Sequence, residues 1–113
     1  MENKRQHPRF SFNEPVGYQR QKDFPVEGSL AEDISHQGLR LRVNQFIPLN
    51  TVLELQVQLP GRVQLVSVRA KVVWVRMSYN CVDSWEIGLQ MISNDPSMIA
   101  IRNYVNLRSA EAY

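Results

Sequence analysis

At 113 residues, 43% of them apolar and 21% charged, the chain has room for one domain with a modest core and too little length for two. Thirteen basic residues against eleven acidic ones leave a formal charge of only +2, too small for a general affinity for polyanions. What matters is where individual arginines stand. Cys81 is the single cysteine, which excludes an intrachain disulfide and fits a reducing compartment. The charged start has no apolar segment behind it, so it does not read as a secretory signal. No apolar run approaches the about 18–20 residues of a membrane span. The expectation is a soluble, cytoplasmic protein.

Residues 1–9 carry Lys4, Arg5 and Arg9 and almost nothing apolar, and read as a mobile arm. Val16 and Tyr18 then alternate with Gly17 and Gln19, a short strand introduced by Pro15. The segment Gln21–Pro25 breaks it, and a second strand, Val26 to Glu32, leads into Asp33-Ile34-Ser35-His36-Gln37-Gly38. Small polar residues of this kind hydrogen-bond backbone in turns, and glycine accepts the positive φ that other residues resist. The turn reads as the polar end of a strand pair, with the Asp33 and Ser35 side chains available at a rim. A third strand follows, with Leu39, Leu41 and Val43 on one face and Arg40 and Arg42 on the other.

After a loop over Asn44–Asn50 comes the clearest alternation in the chain. Leu53, Leu55, Val57 and Leu59 face one way, and Glu54, Gln56 and Gln58 the other. Pro60-Gly61 signals a turn. The return segment Val63–Met77 places Val68, Ala70, Val72 and Trp74 on one face. At about fifteen residues it exceeds the usual ~5–6 of a strand, so a bend, a bulge or a strand shared along a barrel is expected. Trp85, Ile87, Leu89 and Met91 form the last strand. The period then changes: Asp95-Pro96 is a helix start, with Asp as cap and Pro at the first helical position. Met98, Ile101, Val105 and Arg108 share one side of the helix it opens. About six antiparallel strands and one closing helix make a small β-barrel.

Catalysis is hard to build from these residues. His7 and His36, the two histidines, lie in arm and turn. Cys81 has no neighbouring base and no metal-ligand spacing, and no phosphate loop, HExxH or GxSxG is present. The reading is that the protein is not an enzyme and carries no metal or cofactor. Arg5 and Arg9 stand out instead. A guanidinium is a rigid donor fork for phosphate oxygens or the O6/N7 edge of guanine, and it stacks on purine faces. Left to the residues alone, a solvated basic tail is the favoured reading of the pair.

Arg5-Gln6-His7-Pro8-Arg9 is an RxxxR motif, and Asp33 to Gly38 is a [D/N]xSxxG motif about two dozen residues on. With Ala70-Lys71-Val72-Val73-Trp74-Val75, Ile87-Gly88-Leu89-Gln90-Met91 and a terminal helix, the chain resembles the PilZ domain family over essentially its whole length. Met91 stands where the family often has an aromatic residue. The resemblance implies a mainly β fold, a six-stranded antiparallel barrel with a C-terminal helix and a flexible N-terminal arm. On that reading residues 1–113 are one domain, with the arm at 1–12, the barrel at 13–94 and the helix at 95–109.

It further implies a non-enzymatic receptor for the bacterial second messenger cyclic di-GMP. Arg5 and Arg9 would contact phosphates and guanines, Asp33 and Ser35 the polar edge of the other guanine, and Gly38 would shape the turn. Lys4, before the first arginine, bears on whether one ligand or an intercalated pair binds. The signal would pass to an effector protein, with motility, exopolysaccharide or virulence control all compatible. No DNA, RNA or membrane insertion is expected. The alternative is a PilZ-fold interaction module that does not bind nucleotide. A barrel binding single-stranded nucleic acid would need aromatics interleaved with basic residues, whereas Trp74 and Trp85 sit in apolar strands and read as core.

Overall fold

Period-two strands with one apolar face bury that face only by packing it against others, and here they do so by closing into a ring. The computed structural model describes residues 10–20, 25–78, 84–92 and 96–111. In chain order the elements are β1 (Phe10–Ser11), β2 (Pro15–Gln19), β3 (Glu27–Ile34), β4 (Gly38–Val43), β5 (Val52–Val57), β6 (Val66–Met77), β7 (Trp85–Met91) and α1 (Pro96–Glu111). The order β3-β2-β5-β6-β7-β4 returns to β3 through the β3–β4 pairing, and every pairing is antiparallel. This is the expected six-stranded barrel with its C-terminal helix. Closure leaves the ring strands without a free edge. β1 is an addition, paired to β3 on the side that also carries β2.

The core is the sum of the inward faces: Leu39, Leu41 and Val43 of β4, Leu53, Leu55 and Val57 of β5, and Ile87, Leu89 and Met91 of β7 are all buried. Met98, Ile101 and Val105 of α1 join the same core. The helix begins on Pro96, as expected, and extends two residues beyond the expected 109, to Glu111. No helix among the described residues is long and apolar enough to cross a membrane.

Three departures from expectation shape the region around the turn. Residues 10–12, expected in the arm, belong to the barrel wall. Phe10 faces Ile34, Ser11 faces Asp33, and Phe12 is buried with its N–H donated to the Glu32 carbonyl at 3.1 Å. The alternation Phe10-Ser11-Phe12 is itself a short strand signal. Residues 1–9, with Lys4, Arg5 and Arg9, lie outside the described residues, as do Cys81 and Asp95.

Second, β3 runs on to Ile34 instead of ending at Glu32. Ala31 faces Leu41 and Asp33 faces Arg40, so Glu32 is an extra residue with no partner of its own in that ladder. The bulge changes the phase of the strand. Ala31 and Ile34 are both buried, and the acidic pair between them, Glu32 and Asp33, turns outward together. Third, the same device recurs where Val72 faces Leu89 and Trp74 faces Gly88, leaving Val73 extra. Trp74 therefore leaves the core face, and Val75 packs against the core in its place. The bulge adds one residue to β6, and the rest of its length comes from pairing with β5 over Val66–Lys71 and with β7 over Ala70–Met77.

Candidate functional site

The β3–β4 connection is held by its own serine. Ser35 Oγ accepts the N–H of Gly38 at 3.1 Å and that of Gln37 at 3.4 Å, while the Ser35 N–H donates to the Gly38 carbonyl at 2.9 Å. Ser35 is only 6% exposed, so the expected rim hydroxyl is in fact turned into the loop. Gly38 differs from expectation too. Positive φ among the described glycines occurs at Gly61 and not at Gly38. Glycine is required at Gly38 for close approach: a Cβ there would stand 2.9 Å from the Leu89 carbonyl oxygen. The turn is tied to β7 through the Met91 N–H, which donates to the Gln37 carbonyl at 2.7 Å. It is tied to α1 by His36 Nε2–H, donated to Asn106 Oδ1 at 2.6 Å.

The root of the arm meets the same helix. Arg108 donates to the Ser11 carbonyl at 3.0 Å and to the Tyr104 hydroxyl oxygen at 2.9 Å. Its guanidinium lies 5.6 Å from the centre of the Phe10 ring, within cation–π range.

Outward from the turn, the paired strands form continuous rows. Ser11, Asp33, Arg40, Gly88 and Trp74 are successive partners on β1, β3, β4, β7 and β6. Asp33 and Trp74 thus stand three strands apart around the ring. A second row runs Gly38, Gln90, Lys71, Val52 on β4, β7, β6 and β5. Trp74 lies over Gly88, where a Cβ would run into the indole. The Arg76 guanidinium sits 5.4 Å from the Trp74 ring centre.

The charges of this face are interlocked. Arg40 Nε lies 3.1 Å from Asp33 Oδ2 and 3.4 Å from Glu32 Oε1, and Arg42 donates to Glu32 Oε2 at 2.7 Å. Arg76 donates to Glu86 Oε1 at 2.7 Å. Burial pushes the Glu86 pKa up, but the hydrogen bond and charge of Arg76, with the charge of Arg40, outweigh it and hold the carboxyl below its ordinary value. No cluster of His, Cys, Asp or Glu among the described residues has the makings of a metal site.

Of the residues singled out in the sequence, Asp33, Ser35 and Gly38 thus come together in one braced turn, beside β1. Arg9 directly precedes Phe10 in the chain. Arg40, Gly88 and Trp74 were not anticipated. For Trp74 the signal was a strand too long to alternate without interruption.

The sequence profile of the PilZ domain matches residues 3–107. The chain belongs to the PilZ domain family. Among solved structures, the Bacillus subtilis inhibitor of motility MotI/DgrA superposes with a TM-score of 0.77 at 16% identity, covering 97% of this chain and 53% of that one. The K. pneumonia MrkH–c-di-GMP complex gives 0.75 at 16% identity, covering 98% and 55%. The PilZ domain of Escherichia coli YcgR with c-di-GMP gives 0.71 at 12% identity, covering 97% and 95%. The chain therefore spans about half the length of MotI and MrkH, and at these identities the PilZ likeness is one of fold. No curated protein matches it by sequence.

Proposed function

We propose that the protein is a receptor for cyclic di-GMP, gripped between an arm carrying Lys4, Arg5 and Arg9 and the turn Asp33–Gly38. The observation that carries this reading is the β1–β3 pairing. Phe10 faces Ile34 and Ser11 faces Asp33, so Arg9 is one peptide bond from a residue standing opposite the turn. The two relatives solved with c-di-GMP support the same ligand class.

In this reading Arg5 and Arg9 offer their donor forks to the phosphates and to guanine O6 and N7. Asp33, oriented by Arg40 at 3.1 Å, accepts from a guanine's N–H edge. Ser35 acts through the turn it holds rather than by touching the base, which suits its burial. Trp74, in the same row as Asp33, presents an aromatic face to the second base. Binding orders the arm, and the altered surface is what a partner protein reads.

Calorimetry of the intact protein with micromolar cyclic di-GMP, against linear pGpG, tests it. Saturable binding of the cyclic dinucleotide is expected. Arg9→Ala should weaken it by about 1–3 kcal/mol, roughly 5- to 150-fold, with the melting temperature of the ligand-free protein unchanged. Absence of binding by the wild-type protein would overturn the reading.

A further inference from the structure

Basic residues on the outer faces of β4 and β6 are engaged by carboxylates, with one exception. Arg40 and Arg42 meet Asp33 and Glu32, Arg69 meets Glu54 at 2.9 Å, and Arg76 meets Glu86. Lys71 has no ion-pair partner among the described residues. It points outward, since Ala70 and Val72 on either side are both buried at 0% exposure. Its place is not arbitrary. Lys71 faces Gln90, and Gln90 faces Gly38, so the ammonium-bearing strand position is about 10 Å from the last residue of the turn.

We propose that Lys71 is the barrel's own phosphate-binding cation in the cyclic dinucleotide site, a proposal that rests on the receptor reading above. The charges at the turn end of β3, on β4, on β7 and at the end of β6 cancel: Glu32, Asp33 and Glu86 against Arg40, Arg42 and Arg76. A ligand with two phosphates brings two negative charges to that neutral strip. In the receptor reading the arm supplies cations, and among the described residues of β4 and β6 Lys71 is the charge that no carboxylate quenches. A lysine suits the task, because its ammonium is a compact point charge with rotatable donors and demands no fixed acceptor geometry. Such a contact anchors the backbone of a nucleotide without reading its bases. Lys71 therefore contributes affinity and leaves base preference alone.

The test is calorimetry of the intact protein with cyclic di-GMP and cyclic di-AMP at low and moderate salt. Lys71→Gln, Lys71→Met and Lys71→Arg are compared with Arg102→Gln, which removes an exposed charge on α1. Both neutral variants should bind cyclic di-GMP about three- to tenfold more weakly at low salt, with a shallower salt dependence. The ratio of the two ligands' affinities should stay as in wild type, Lys71→Arg should retain most of the binding, and Arg102→Gln should bind as wild type. Wild-type affinity in both neutral variants would overturn the proposal. An equal loss in Arg102→Gln would overturn it as well, by showing that only overall charge matters. A wild-type protein that does not bind at all would overturn the receptor reading, and the Lys71 proposal with it.

Discussion

Between β5 and its neighbours β2 and β6 the register runs unbroken, from Val16–Val57 to Gln19–Glu54 and from Val52–Lys71 to Val57–Val66. The β3–β4 and β6–β7 ladders each skip a residue, at Glu32 and at Val73. The regular side does one thing well: Leu53, Leu55 and Val57 are completely buried. The interrupted side gives up ladder regularity and gains outward positions, two adjacent acidic residues on β3 and Val73 with Trp74 on β6. A closed barrel fixes tilt and stagger for all its strands together. A bulge changes which residues face outward in one place without rotating the rest. The candidate site lies on the interrupted side for that reason.

Substitutions on the two sides should separate stability from binding. Leu55→Ala, on the regular side, is expected to have the largest effect on folding, about 2–5 kcal/mol in urea denaturation, with the ligand affinity of the folded protein unchanged. A parallel loss of affinity would break the comparison. Gly88→Ala, on the interrupted side, should cost less stability, about 1–3 kcal/mol from overpacking. It should shift tryptophan emission as the Trp74 indole is displaced, and it should weaken cyclic di-GMP binding.

The smallest expected effect is electrostatic. Glu86 has its pKa lowered in the folded state, so its stabilising contribution is fully present above the unfolded value of about 4.5 and is lost as the pH falls through the folded one. Glu86→Gln should melt below wild type at neutral pH, and the gap should narrow on acidification below about 4.5. A gap that stays constant with pH would show that the Arg76–Glu86 pair acts as packing alone.

What could be read from the sequence was whatever is local. Period-two runs such as Leu53–Leu59, the Pro96 helix start and the polar turn at Asp33–Gly38 each declare themselves within a few residues. A bulge belongs to a pair of strands, and the extra residue is defined only by the partner's register. Counting alternation straight through Val73 therefore put Trp74 in the core. Gly38 carried a similar ambiguity: its lack of a side chain is explained by Leu89, fifty-one positions away in sequence. Ser35 was expected at the rim because hydroxyls usually are, but the N–H groups of Gln37 and Gly38 claim its oxygen.

Helix α1 holds the turn through His36 and Asn106, and the root of the arm through Arg108. One element is thus fastened to the turn and to β1, and under the receptor reading proposed above local unfolding of the helix is tied to occupancy. By linkage the dependence is reciprocal. A ligand that fixes turn and arm must raise the protection of α1 amides against hydrogen exchange, and whatever frees α1 from the barrel must weaken the ligand by the same factor.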